Sequence, residues 1–403
     1  MRIKNIDPDK MAIFIVLSAM VMNFVLSILN NNGLPMNQTK VIIVQLLITA
    51  GALIVFLQSK PKIPDKFYLS CASILVFAII AMIYKENSNF QFLYKLFVIQ
   101  TFILLGASVK TINIRYLKWF LYFILIVAIF EAIFPTIYQR IVNPFDYYVS
   151  TRDWVNRFAS RHHLRISHGL YVGVNRSFGS IFGFAGHRVS SIFLEPLSLG
   201  YFSVIYSMVI CHAYWGKMKK LIPQLIVCFL LALFSDTRSA VLLLVILIPT
   251  MYFMKELPKE MFYFFPILFI VLLLIIYKFG FLNRWSEYKF RIGITTNTLI
   301  KASIPDLLFG KAHTVYSGDS GILELIDGAG VIGAFLFYIT SSGLISGKSM
   351  NQPLVFFSML FLMVASLFGG ACFSIKTASL LGFFIGAMSS GAQISETAGQ
   401  PVQ

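Results

Sequence analysis

The sequence predicts an all-α, polytopic membrane protein with about twelve transmembrane helices, on three observations. Of 403 residues, 58% are hydrophobic and 12% charged, with a mean hydropathy of +0.78, whereas about a quarter of the residues of a soluble domain are charged. Apolar runs of roughly 15 to 20 residues, the length a bilayer core demands, recur along the whole chain. Most lysines fall in alternate connections between those runs, as expected if basic residues stay on the cytoplasmic side of a chain that crosses back and forth.

The first run, 11–29, follows Arg2, Lys4 and Lys10 as a signal peptide would. It is long enough to span, however, and ends in Asn30, Asn31 and Asn32 instead of small residues for cleavage, so it reads as a retained helix. Runs at 41–58, 67–84, 92–109 and 117–134 complete helices one to five within 1–134, with Lys60, Lys62, Lys66, Lys110 and Lys118 inside. A first long external loop covers 135–191. Helices six to nine, at 192–215, 221–234, 240–254 and 261–278, fill 192–278, with Lys217, Lys219, Lys220, Lys255 and Lys259 inside. A second external loop covers 279–320. Helices ten to twelve, at 322–341, 353–368 and 375–390, fill 321–390 with Lys348 inside, and the hairpin around Gly369 and Gly370 could instead be re-entrant. The tail, 391–403, is polar and expected to be cytoplasmic and disordered. Both long loops are expected to be partly helical, and both termini cytoplasmic. Cys71, Cys211, Cys228 and Cys372 lie in or beside apolar runs at no metal-ligand spacing and read as small buried side chains.

Arginine breaks the charge rule that most of the lysines obey. Only Arg2 and Arg115 of the twelve arginines fall on the cytoplasmic side; Arg140, Arg152, Arg157, Arg161, Arg165, Arg176 and Arg188 lie in the first external loop, Arg238 in a tight external turn, and Arg284 and Arg291 in the second loop. Planar, permanently charged forks in excess on the outer face point to an anionic, phosphorylated ligand there. A net charge of +16 also suits nucleic acid or anionic headgroups, but the placement of the arginines argues against nucleic acid and for a ligand at the bilayer surface.

Within the first loop, seven arginines face only Asp146 and Asp153. Arg157, Arg161 and Arg165 recur every fourth residue, along one face of an interfacial amphipathic helix beside Trp154 and Phe158; they are candidates for contact with glycan or lipid, together with His187 and Arg284. A glycine-rich stretch with Gly169, Gly173, Gly179, Gly183 and Gly186 surrounds Arg176 and leads to Arg188 and then Glu195-Pro196, where proline suits a first helical turn. A carboxylate at that depth is a functional candidate, with Arg188 or Arg238 as its expected partner. Runs 221–234 and 240–254 have 14 and 15 residues, roughly 21–23 Å against a ~30 Å core, so the turn 235–239 is expected to be recessed. Arg238 at that depth costs on the order of 2.5–3.5 kcal/mol unless it lines a polar cavity. The second loop ends in Asp319-Ser320, which reads either as a helix cap or as a catalytic acid, followed by Gly330-x-x-Gly333. The one Asp-x-Asp, Asp7-Pro8-Asp9, is cytoplasmic, so no metal site is expected, no cofactor is called for, and arginines would supply the counter-charge to a diphosphate.

These patterns, in this order and topology, resemble the O-antigen polymerase and ligase superfamily, most closely the Wzy-type O-antigen polymerases. The resemblance rests on Arg188 through Glu195-Pro196 to Gly200, on Thr237-Arg238-Ser239, and on Asp319-Ser320 with Gly330-x-x-Gly333. It implies a GT-C-like helical fold in the bacterial inner membrane with a site facing the periplasm. The implied activity transfers a growing glycan from undecaprenyl diphosphate to the non-reducing end of an undecaprenyl-diphosphate-linked repeat unit, with inversion. The implied partners are those two lipid-linked oligosaccharides, the bilayer and a chain-length-determining co-polymerase. Arg188, Arg238, Arg291 and Arg176 would bind the diphosphate. Glu195, Asp319 or His313 would act as base, Glu195 being favoured because burial raises a carboxyl pKa. Tyr147, Tyr148, Trp154, Tyr171 and Trp285 are external aromatics able to stack on sugars or anchor in the interface. Ligases of the superfamily carry a His-Asn pair where Asp319-Ser320 stands, so an O-antigen ligase acting on lipid A core is an alternative, with His313 as substitute. A transporter or flippase of anionic lipid-linked substrates is another. It is weakened because no repeat relates the two halves and the longest loop lies outside.

Overall fold

The computed structural model describes residues 7–85, 90–153, 155–156, 186–280, 286–310, 320–345, 351–397 and 400–401. The described chain is overwhelmingly helical. The long helices are α1 (Pro8–Asn31), α2 (Gln38–Ser59), α3 (Asp65–Lys85), α4 (Phe90–Ala107) and α5 (Ile114–Ile133). They are followed by short α6 (Pro135–Val142) and α7 (Pro144–Thr151), and then α8 (Pro196–Tyr214), α9 (Met218–Phe234), α10 (Arg238–Phe253) and α11 (Phe265–Lys278). The rest are α12 (Ser286–Lys301), α13 (Ile304–Phe309), α14 (Gly321–Ser341), α15 (Gln352–Leu367) and α16 (Ile375–Ser390). Among the described residues, seven helical segments are long and apolar enough to cross a membrane, among them α1, α2, α3, α5, α8 and α14, and four shorter apolar helices include α10, α15 and α16. Every apolar run read from the sequence coincides with a helix.

Burial sorts these helices. The α2 span is 11% buried and the α8 span 83%. On α2, residues such as Ile43, Leu47 and Leu57 turn outward, as suits a helix whose solvent is lipid. α8 and α16 form the centre, their residues buried nearly from end to end. Their approach depends on small residues: a Cβ at Gly382 would overlap the Ile99 carbonyl, one at Gly386 the Ile103 carbonyl, and one at Gly106 the Phe383 carbonyl. α16 therefore lies on α4 backbone to backbone through a Gly-x-x-x-Gly face, which lets dispersion and close dipoles take over where lipid removes the hydrophobic driving force. α6 and α7 fold back onto α1, with Ser27 Oγ donating to the Val142 carbonyl at 2.5 Å and the Tyr147 hydroxyl to Asn23 Oδ1 at 3.0 Å. Tyr147 and Tyr148 are thereby buried in the core, and neither is the external stacking residue expected of it. The four cysteines are free, Cys71 half-buried and the others buried.

At one end of the bundle, here the tail end, the chain forms a small sheet. β1 (Thr111–Asn113) pairs in parallel with β2 (Gln393–Thr397), Ile112 opposite Ile394, and β2 pairs antiparallel with β3 (Gln400–Pro401). Asp9 joins α1 to this end by accepting from the Lys110 and Thr111 amides and the Thr111 hydroxyl at 2.7–3.1 Å. Glu396 receives the Lys220 ammonium at 2.7 Å and the Tyr214 hydroxyl at 2.9 Å. The expectation of a disordered tail is corrected for these residues, because a strand partner 282 positions earlier and an ion pair satisfy a segment that looks merely polar in sequence.

Two outcomes test this packing. Gly386→Val should cost roughly 1–3 kcal/mol or more, since the overlap is with backbone that cannot rotate away, read as a lowered unfolding temperature in detergent. Glu396 has its carboxyl pKa lowered, chiefly by the Lys220 hydrogen bond. Its contribution is therefore complete above the unfolded value of about 4.3 and lost as pH falls through the lower folded value. Protection of the amides at 393–397, taken relative to the intrinsic exchange rate at each pH, should hold from neutral pH to about pH 5, fall below about pH 4, and be low throughout in Glu396→Gln.

Candidate functional site

The opposite end of the bundle gathers ionic groups around the segment leading into α8. From Gly186 to Glu195 this segment is pinned on several sides. Glu131, near the end of α5 and fully buried, accepts from the Ser190 amide at 3.0 Å, the Ser190 hydroxyl at 3.1 Å and the Ser191 amide at 2.5 Å. His187 Nε2 lies 3.4 Å from the same carboxylate. The Tyr138 hydroxyl donates to the Ser191 carbonyl at 2.6 Å, and Ser191 Oγ donates to the Ile124 carbonyl at 2.9 Å. Ser191 (φ 50°) and Leu194 (φ 60°) both sit in the left-handed region. A backbone with two such residues persists only when its surroundings over-determine it, and the Glu131 carboxylate supplies much of that constraint. Sequence reasoning passed over Glu131; the available signal was a lone acid inside an apolar run.

Glu195 sits just before Pro196, which occupies the first turn of α8 as anticipated. Its partners differ from those expected. Arg152 Nη1 meets Oε1 at 2.5 Å and Lys376 Nζ meets Oε2 at 2.8 Å, while Ser198 Oγ donates to Oε2 at 3.0 Å. Lys376, 1% exposed on α16, also donates to the Phe193 carbonyl at 2.9 Å, and the Arg152 guanidinium stacks 4.1 Å above the Tyr148 ring. Burial alone would push the Glu195 carboxyl up, but the Arg152 and Lys376 charges and hydrogen bonds outweigh it and hold the group well below the usual carboxylate range. The expected rise in pKa is thus reversed, and the pairing with Arg188 or Arg238 is replaced by one with Arg152 and Lys376.

The turn between α9 and α10 meets the segment directly. The Val189 amide donates to the Phe234 carbonyl at 3.0 Å and Arg188 Nε to the Ser235 carbonyl at 3.1 Å. Ser235, Asp236, Thr237 and Ser239 are all buried in protein, and Arg238 is half-buried at the start of α10. Gly200 makes the approach possible: a Cβ there would meet the Thr237 side chain at 2.6–2.9 Å, and Thr237 Oγ1 donates to the Pro196 carbonyl at 3.2 Å. Beneath them the buried Tyr201 hydroxyl donates to the Ala365 carbonyl at 3.2 Å. Arg188 and Arg291 both lie near enough to Tyr201 to act on it electrostatically. Arg291, on α12, stacks over Phe368 at 5.9 Å. Arg188, the Arg238 turn and Arg291, distant in sequence, are therefore brought to one place.

Arg157, Arg161, Arg165, Arg176, Arg284, His313 and Asp319 lie outside the described residues, as do Trp154, Tyr171 and Trp285. Ser320, rather than Asp319, caps α14, its hydroxyl accepting from the Leu323 amide at 3.3 Å. Gly330 (φ 66°) breaks α14, and a Cβ there would overlap the Leu308 carbonyl of α13, so this half of the Gly330-x-x-Gly333 pattern answers a packing need.

No protein-family model matches the sequence, and comparisons of sequence and of fold find no similar curated protein or solved structure.

Replacing Glu195 by Ala leaves Lys376 buried without its counter-charge, a change that should cost about 3–5 kcal/mol. Thermal unfolding of the purified protein checks this, and Glu195→Ala Lys376→Met should recover part of the loss. Because the folded carboxyl pKa is depressed, the Glu195 contribution in the wild type is complete above about pH 4.3 and lost only at lower pH, so the wild-type unfolding temperature should fall as pH drops below about 4.3.

Proposed function

We propose that this chain is a glycosyltransferase of the Wzy type that polymerises lipid-linked oligosaccharide repeat units. In this reading it spans the bacterial inner membrane about twelve times in a GT-C-like arrangement, with the tail end cytoplasmic and the arginine end periplasmic. One observation carries it: Arg188, the turn bearing Arg238, and Arg291 converge at one end of an otherwise apolar bundle, around Gly200, Tyr201 and Ser239. Guanidinium groups held in protein at a membrane surface match a diphosphate whose lipid tail remains in the bilayer.

The chemistry follows from that charge. When an acceptor hydroxyl attacks the anomeric carbon of the donor glycan, the bond to the diphosphate oxygen breaks and negative charge builds on the leaving group. Arg188, Arg238 and Arg291 stabilise that charge by charge-assisted hydrogen bonds that strengthen as it develops, without a metal ion. Attack opposite the departing diphosphate inverts the anomeric centre. Both oxygens of Glu195 are engaged by cations. Glu195 then serves to hold Arg152 and Lys376 beside the entrance to α8, and proton transfer falls to another group.

Reconstitution with synthetic undecaprenyl-diphosphate repeat units, in the presence of a chelator, tests the reading. Wild type should build a ladder of polymers on the carrier lipid. Arg188→Ala and Arg238→Ala should each lower elongation about 10²–10³-fold while inserting normally into membranes. Wild-type-length polymer from either variant at normal abundance would refute the diphosphate assignment. Transfer of pre-formed polymer to lipid A core would instead identify a ligase, and movement of substrate without a new glycosidic bond a flippase.

A further inference from the structure

One acid at the arginine site is left over from the ion pairs and hydrogen bonds above. Asp236, in the turn between α9 and α10, is 8% exposed, and its Oδ1 is buried without a hydrogen-bond partner. Its backbone is committed, the amide donating to the Leu233 carbonyl at 3.0 Å, but its φ of 48° is in the left-handed region. Both features work against folding. A buried acceptor left unmatched forfeits its hydration, and a side chain at positive φ strains the backbone where glycine would not. Native proteins keep few such groups, and they concentrate where chemistry is done.

The neighbours of Asp236 are the residues of the proposed site. Immediately before it, the Ser235 carbonyl accepts from Arg188; immediately after it, Thr237 packs on Gly200, and Arg238 starts α10. Among the described residues, three acids border this turn and the segment entering α8. Glu131 is taken up by the Ser190 and Ser191 amides, and Glu195 by Arg152 and Lys376. Asp236 alone of the three keeps a carboxylate oxygen uncommitted.

We propose that Asp236 is the general base of the transfer, an assignment that rests on the polymerase reading and supplies the group it lacks. The acceptor hydroxyl's proton passes to a carboxylate oxygen of Asp236 as the hydroxyl oxygen bonds to the anomeric carbon. The bond from that carbon to the donor diphosphate breaks, its electron pair leaves on the diphosphate oxygen, and the arginines meet the charge. The carboxylic acid then releases its proton to water, restoring the carboxylate.

Asp236→Gly separates this role from a structural one, because glycine removes the carboxylate and also relieves the positive φ. The variant should unfold at the wild-type temperature or above it and bind inorganic pyrophosphate at least as tightly, yet elongate glycan about 10²–10⁴-fold more slowly. Asp236→Asn, which keeps the shape of the side chain, should be equally slow. Elongation by Asp236→Gly at the wild-type rate overturns the assignment, as does a loss of activity accompanied by a lower unfolding temperature or lost pyrophosphate binding. A wild-type protein that makes no polymer in the same reaction overturns the polymerase reading, and the base with it.

Discussion

Burying a charge in a medium of low dielectric is tolerable only with a partner, and that constraint shapes the arginine end of this bundle. Glu131 is sealed inside protein and must draw in donors; those within reach are the amides and hydroxyl of Ser190 and Ser191. The backbone there takes up left-handed geometry at Ser191 and Leu194. Glu195 and Lys376 answer the same demand in each other, with Arg152 closing the group from the loop side. Two anchored carboxylates, one on each side of a short segment, thus set where Val189 and Arg188 meet the turn after α9.

The division of labour among helices follows from the same energetics. Helices facing lipid, such as α2, hold few buried residues and rely on their own backbone hydrogen bonds. The central pair α8 and α16 carries the polar load, with Ser198, Ser203, Ser207, Lys376, Thr377 and Ser379 buried within it. Each serine or threonine costs little there when its hydroxyl bonds to a carbonyl of its own helix, as Ser203 does to Gly200 and Ser207 to Ser203.

How much of this could be read from the sequence depended on whether the signal was local. Hydropathy runs are local, and every run became a helix. The turn between the short runs 221–234 and 240–254 is buried at Ser235 and Asp236. The partners of Glu195 were not legible. Lys376 is 181 residues away inside an apolar run, and no spacing rule links the two. Glu131 and Ser190 are 59 residues apart for the same reason. The tail was misjudged because a polar composition does not reveal that a strand near Ile112 waits to pair with it. The pKa of Glu195 was misjudged in sign, since burial was weighed without the two cations that burial brought close.

The glycine face of α16 bears on how such a protein is made. α16 is the helix buried most completely, yet the ribosome delivers it after every other helix described, and the α4 surface that receives it is made some 270 residues earlier. Until then Ile99, Ile103 and their neighbours must lodge against lipid or a chaperone, so closure of the bundle waits for the last of the described helices. Nascent chains stalled upstream of Gly382 would present an open cleft to the quality-control proteases of the membrane.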